Sequence, residues 1–189
     1  IWEASEGKAI VCSDVGQHQM WTAQRYDFPE PRRWINSGGL GTMGYGLPAA
    51  LGAQVGNPDD LVIFFTGAGS IQMNIQEMAT AVQEGAPVKV VILNNGYLGM
   101  VRQWQELFWE KRYSHVDLRT EQAPVPDWQK LAEAYGWTGF HFEKKETLVE
   151  DLRKALATEG PVLIDVRVAR EENVYPMIAP GAAARDMVG

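Results

Sequence analysis

The 189-residue chain is predicted to fold as an α/β domain, a doubly wound, mostly parallel sheet with helices on both faces. Three observations predict this. Runs rich in Val and Ile show little alternation, which suits parallel strands covered on both faces. Helix-period patterns separate those runs, so the strands need crossover connections. Two of the strongest runs end in turn-forming segments, Gly67-Ala68-Gly69-Ser70 and Asn94-Asn95.

In chain order, Ala9–Ser13 reads as a first strand. Gly44–Val55 follows as a helix, small and apolar enough to pack closely on a sheet. Leu61–Phe65 is a strong strand. Ile75, Met78, Ala79 and Val82 then fall at i, i+3, i+4 and i+7, one helix face. Asn74 with Glu77 resembles a capping box for that helix, and Gly85 with Pro87 ends it. Lys89–Leu93 is the next strand. Leu98–Tyr113 carries Met100, Val101, Trp104, Leu107, Phe108 and Tyr113 at helical spacing, which most often marks a core stripe. Asp127 caps a helix bearing Leu131, Ala132 and Tyr135, with Gly136 as its stop. Gly139–Phe142 is a weak strand. Thr147 and Glu150 form a better capping box, for a helix bearing Leu152, Ala155 and Leu156 that ends near Gly160-Pro161. Val162–Val168 is the last strand. Residues 1–170 thus make the domain, and residues 171–189, with Asn173–Met177 and Pro180-Gly181, read as an extended arm.

Composition narrows the function classes. At 46% apolar and 22% charged, the chain is an ordinary globular one. A net charge of −7 argues against a general binder of nucleic acid or anionic membranes. No run reaches the roughly 18 apolar residues of a membrane span. The single Cys12 excludes an internal disulfide framework, suits a reducing compartment and reads as a small buried hydrophobe. The start at Ile1, with no Met and no basic-apolar leader, reads as a segment of a longer polypeptide without a visible secretory signal. No Cys/His cluster suggests zinc, and Ser13 and Ser70 lack a nucleophile-elbow context. The acidic runs Glu143–Glu150 and Glu171-Glu172 read as solvated faces.

The turns carry the chemistry. Two neighbouring strands ending in Gly67-Ala68-Gly69-Ser70 and Asn94-Asn95 would present both on one edge of the sheet, where open α/β sheets bind ligands. A Gly-x-Gly turn lets the backbone approach a phosphate, and a following helix N-terminus favours the anion.

This pairing resembles the signature of thiamine diphosphate enzymes, Gly-Asp-Gly followed by Asn-Asn, with Ala68 where the Asp stands. Within that superfamily three runs look like the acetolactate synthase large subunit: Gly16-Gln17-His18-Gln19-Met20-Trp21, Ser37–Ala50 with its Gly41-Thr42-Met43 core, and Leu93–Trp104. The arm at Asn173–Pro176 fits as well. The resemblance covers nearly the whole chain and implies the C-terminal, diphosphate-binding domain of such an enzyme. That enzyme decarboxylates pyruvate and condenses the product with pyruvate or 2-ketobutyrate on the way to the branched-chain amino acids.

The resemblance implies a site. Gln17, His18, Gly67, Gly69 and Ser70 would face the diphosphate. Gly41 and Met43 would meet the aminopyrimidine, with Met43 wedged beneath the bent cofactor. Tyr97, Leu98, Gly99 and Met100 would lie along the cofactor. Mg²⁺ would be held by the residue at position 68, the Asn95 amide oxygen and the Tyr97 carbonyl; Ala68 cannot ligate. A water filling the gap and a deliberately silenced site are both open readings of Ala68. Trp104, beside Met100, would line the substrate channel. The resemblance also implies what is missing: a pyrimidine-binding domain whose Glu activates the cofactor across a subunit interface, and a middle domain holding most contacts to FAD. No catalytic residue is expected in the segment itself, which alone would be inactive. A homodimer or tetramer and a small regulatory subunit are implied partners, in a bacterial cytoplasm or an organelle. Three alternatives stay open: a metal-less scaffold of the same fold, another thiamine-dependent 2-oxo acid decarboxylase or oxidase, and a nicotinamide-binding domain. The last would use Gly39-Leu40-Gly41-Thr42-Met43-Gly44, which has the spacing but no convincing strand before it.

Overall fold

Five strands expected from apolar runs, and a sixth that was not, form one all-parallel sheet in the computed structural model, which describes residues 1–119, 125–179 and 181–189. The strands are β1 (Ile10–Ser13), β2 (Trp34–Asn36), β3 (Val62–Thr66), β4 (Lys89–Asn94), β5 (Thr138–Phe142) and β6 (Val162–Arg167), in the order β2-β1-β3-β4-β6-β5. β2 is only three residues long and half-buried, so it lacks the apolar run that revealed the others.

The helices are α1 (Gln17–Arg25), α2 (Gly46–Gly56), α3 (Glu77–Gln83), α4 (Gly99–Phe108), α5 (Trp128–Ala134) and α6 (Leu148–Ala157). Two cores confirm that both sheet faces are covered. Cys12, Val62, Phe64, Val90, Ile92 and Leu163 pack with Leu47 of α2, Met78 of α3 and Ala132 of α5. The alternate residues Val11, Ile63, Phe65, Val91, Ile164 and Val166 pack with Leu152 and Ala155 of α6. The inner strands β1, β3 and β4 are buried along nearly their whole length, as the unbroken apolar runs required. Burial also pushes the Cys12 thiol up to about 12, which makes it the inert hydrophobe expected.

Capping differs from expectation at two of three helices. Asp127 does cap α5, its carboxylate accepting from the Lys130 N–H at 3.1 Å. Asn74 caps nothing: a single 3₁₀ turn at Ile71–Met73 intervenes, α3 starts at Glu77, and the Asn74 amide instead donates to the Gly44 carbonyl at 2.7 Å. A tertiary acceptor has taken the side chain from its local role. Thr147 sits at the N-cap of α6 but makes no side-chain cap bond.

Residues Gln17 and His18, expected at the end of the first strand, open α1 instead. The Gly39–Gly44 run does follow a strand, β2, contrary to the reading that none preceded it. The arm meets the middle of α4, where the Gln103 amide donates to the Val174 carbonyl at 3.0 Å and its oxygen accepts from the Val174 N–H at 2.8 Å. The arm is not wholly irregular: Met177 pairs with Val188, and Ala184–Asp186 makes a 3₁₀ turn. Pro180, expected in the arm, lies outside the described residues. Among the described residues no helix is long and apolar enough to cross a membrane.

Candidate cofactor site

In the strand order β2-β1-β3, the chain runs outward from β1 in one direction and from β3 in the other. The crevice at such a reversal, beyond the carboxyl ends of the strands, is where open α/β sheets take ligands. Here that crevice is lined by the turn after β1 (Val15, Gly16, Gln17, His18), by Gly67, Gly69 and Ser70 after β3, and by Asn95 and Tyr97 to Val101 after β4. β3 and β4 are hydrogen-bonded neighbours, as the paired-turn argument required.

Most of the residues singled out in the sequence meet there. Gln17, His18, Met43, Gly67, Gly69, Ser70, Asn95, Tyr97, Leu98, Gly99 and Met100 line one cavity. Three do not. Gly41 is exposed at a loop tip. Ala68 is 2% exposed and belongs to the apolar core, so the turn points this side chain into the domain. Trp104 lies one helical turn beyond Met100, in an adjoining apolar hollow with Val101, Gln105 and Trp109.

Two glycines are there because nothing larger fits. A Cβ at Gly67 would lie 2.9 Å from His18 Nδ1, and one at Gly69 would run into the Leu98 side chain. The loop backbone is therefore pressed against the other two walls of the crevice.

Asp14 fixes this corner, and no local pattern pointed to it. Its Oδ1 accepts from the Gly44 and Gly46 N–H groups at 2.9 and 2.8 Å, and its Oδ2 from the Thr66 hydroxyl at 3.0 Å. One carboxylate thus ties β1, β3 and the start of α2. Burial raises the Asp14 carboxyl above its ordinary range, only partly offset by these bonds.

On the opposite wall, Asn95 Oδ1 accepts from the Tyr97 N–H at 3.0 Å, while its Nδ2 donates to Gln17 Oε1 at 3.1 Å. Gln17 in turn donates to Gln103 Oε1 and to the Glu172 carbonyl, both at 2.9 Å. Gln17 therefore joins the Asn-Asn turn, α4 and the arm. The expected core stripe of α4 is inverted. Arg102 and Gln103 are buried, whereas Val101, Trp104 and Phe108 are exposed, with the Trp104 and Phe108 rings edge-to-face at 6.1 Å. The polar pair is drawn inside because the arm, Glu106 and two tyrosine rings satisfy it.

Among the described residues, two buried polar atoms in the cavity have no hydrogen-bond partner: Ser70 Oγ and His18 Nε2. Burial holds the His18 imidazole at about 3, hence neutral, with one donor and one acceptor nitrogen. Buried polar groups left without partners call for an explanation, and a bound polar ligand is one. A buried hydroxyl and a ring nitrogen without partners, beside a pressed glycine turn, fit a diphosphate. They do not by themselves make a magnesium site. Position 68 offers a methyl group, Asn95 and Tyr97 offer neutral oxygens, and among the described residues no group of three or more His, Cys, Asp or Glu could hold a metal.

Comparison with known proteins agrees with this geometry. The thiamine pyrophosphate enzyme, C-terminal TPP binding domain family matches residues 14–166. The chain is 49% identical over its full length to an acetolactate synthase of Arthrospira platensis, covering 32% of that protein. It is 47% identical over its full length to the acetolactate synthase large subunit of Haemophilus influenzae, again 32% of that protein. Against the acetolactate synthase isozyme 3 large subunit of Escherichia coli K12 it is 49% identical over 99% of the chain. It spans about a third of the length of these curated relatives. With the matched residues taking in nearly all of the sheet beyond β1, the chain belongs to the family of C-terminal TPP-binding domains of thiamine pyrophosphate enzymes.

Proposed function

We propose that this chain is the diphosphate-gripping part of an acetolactate synthase. The observation that carries the reading is the pair of unpartnered buried atoms, Ser70 Oγ and His18 Nε2, at the sheet's reversal point. When bound, thiamine diphosphate supplies the electron sink for decarboxylating a 2-oxo acid. The chain's own part is positional. Ser70, His18 and the Gly67–Ser70 backbone hold the anionic tail. Met43 and Met100, both lining the cavity, enclose the apolar portion and exclude water. Gln17 keeps the Asn95 turn fixed against α4. Gly41, on its exposed loop, would reach the aminopyrimidine only in the assembled protein.

Magnesium is held weakly in this reading, by Asn95, the Tyr97 carbonyl and the cofactor's own phosphates. The exposed Val101, Trp104, Phe108 and Trp109 form the substrate channel of the assembled protein, which takes pyruvate and a second 2-oxo acid. The domains that complete it, FAD, a dimer or tetramer, a small regulatory subunit and a cytoplasmic location belong to the same proposal, supported by the likeness to bacterial large subunits about three times as long. Residues 171–189 act within it as an arm of the same domain, tied down through Gln103.

Calorimetric titration with thiamine diphosphate tests the grip. Ser70→Ala should weaken binding about tenfold, the worth of one hydrogen bond to a charged group. Its effect on the free protein should be small, because Ser70 lies toward Asp14 but completes no bond there. Equal affinity in the variant, or no binding at millimolar cofactor, overturns the proposal.

A further inference from the structure

A chain of hydrogen bonds runs from the protein surface to the back of the cofactor turn, across three strands. Glu143 Oε1 lies 2.9 Å from His141 Nε2. His141 Nδ1 lies 2.8 Å from Asp165 Oδ2. Asp165 Oδ1 accepts from Asn94 Nδ2 at 2.9 Å, and Asn94 Oδ1 accepts from the Gly96 N–H at 3.1 Å. The burial grades along it: the His141 side chain is 31% exposed, Asp165 is 5% exposed and Asn94 is 1% exposed.

The register makes this possible. His141 of β5 pairs with Asp165 of β6, and Asp165 pairs with Ile92 of β4, two residues before Asn94. The chemistry makes it directional. An ionised carboxylate only accepts, so Asp165 compels Asn94 to turn its NH₂ toward it and its oxygen toward Gly96. His141 occupies the second carboxylate oxygen and stops the group from rotating. None of these four side chains lines the cavity itself.

We propose that His141 and Asp165 are positioning residues that set the Asn94–Tyr97 turn from outside the cofactor site, with the protonation of His141 transmitted to the Gly96 amide. The proposal rests on the reading of that turn as the cofactor's. Partial burial works against the charged imidazole, but hydrogen bonds and charge from Glu143 and Asp165 outweigh it and hold His141 above its ordinary value. Among the described residues the other charged groups facing it are few. Arg167 of β6 lies 3.9 Å from Glu143, and Asp127, at the start of α5, shares the hollow with His141 and is tied to Lys130 at 3.2 Å. On deprotonation the ring keeps one N–H. It stays on the buried Asp165, the contact to Glu143 loses its donor, and the bond to Asp165 loses its charge assistance.

The test is a pH titration of the ¹⁵N-labelled chain by NMR, with thiamine diphosphate affinity measured in parallel. The Gly96 amide should shift with the same midpoint as the His141 ring proton. His141→Phe should abolish that inflection and weaken cofactor binding about fivefold, the worth of one hydrogen bond. His141→Gln, whose amide can still donate to Asp165, should also abolish the inflection but restore affinity to within about twofold. A Gly96 amide indifferent to the His141 midpoint, or a Phe variant that binds as tightly as the parent, overturns the proposal. If the Phe variant unfolds, the parent titration and the Gln variant decide. If the parent binds no cofactor, the reading of the site fails separately, and the Gly96 titration still decides the relay.

Discussion

The substitution Ala68→Asp puts the missing charge where the donor set lacks one. Position 68 is 2% exposed and packed in the apolar core, and its own carbonyl is already taken by the Gln72 amide at 2.7 Å. In the free protein the introduced carboxylate would be buried without a cation. An uncompensated charge in such a place costs about 3–5 kcal/mol. Burial raises the pKa of such a group, so the sign is fixed. The free variant should match the parent at low pH, where the new carboxyl is neutral, and lose stability as pH rises through the raised pKa. Magnesium in the adjoining cavity reverses this by drawing the carboxylate out of the core. Loss of a group that merely supports a ligand costs about 10–100-fold in metal affinity, so adding a direct carboxylate ligand should gain at least that, about 1.4–2.8 kcal/mol. Calorimetry with Mg²⁺ and thiamine diphosphate, beside urea melts from about pH 4 to 8, reads both effects. Equal affinities for parent and variant, or a free variant as stable as the parent throughout that range, would refute the reasoning.

Three other outcomes are expected. Asp14→Ala should cost about 3 kcal/mol in urea unfolding, since it strands the Gly44 and Gly46 N–H groups in a buried corner. Asp14→Asn, which keeps an acceptor for both and removes a carboxylate that burial already disfavours, should cost far less; equal losses would show that those bonds do not hold the corner. Burial lowers the Lys89 amine to about 8 while it donates to the Thr158 and Gly160 carbonyls, so the unfolded chain binds the extra proton. Stability should therefore rise from about pH 8 toward 10, and Lys89→Met should flatten that rise. In the full-length protein, Trp104→Leu should change the preference between pyruvate and 2-ketobutyrate as second substrate, measured by product ratio; an unchanged ratio removes Trp104 from the channel.

The sequence alone determined five of the sheet's six strands and its binding edge. Unbroken Val/Ile runs can be buried only when helices cover both faces, so β1, β3, β4 and β6 were legible one by one. The pairing of the Gly67–Ser70 and Asn94-Asn95 turns was legible too, because each followed such a run. Tertiary structure decided what side chains do where two elements compete for them. Asn74 left its cap for Gly44, Gln103 turned inward because the arm supplied both its partners, and Ala68 faced the core. The same holds for Asp14 and for the line from His141 to Gly96, whose members are far apart in sequence and share no motif. Local pattern records which face of an element must be buried. Which polar group satisfies which, once water is gone, depends on neighbours that only the folded chain brings together.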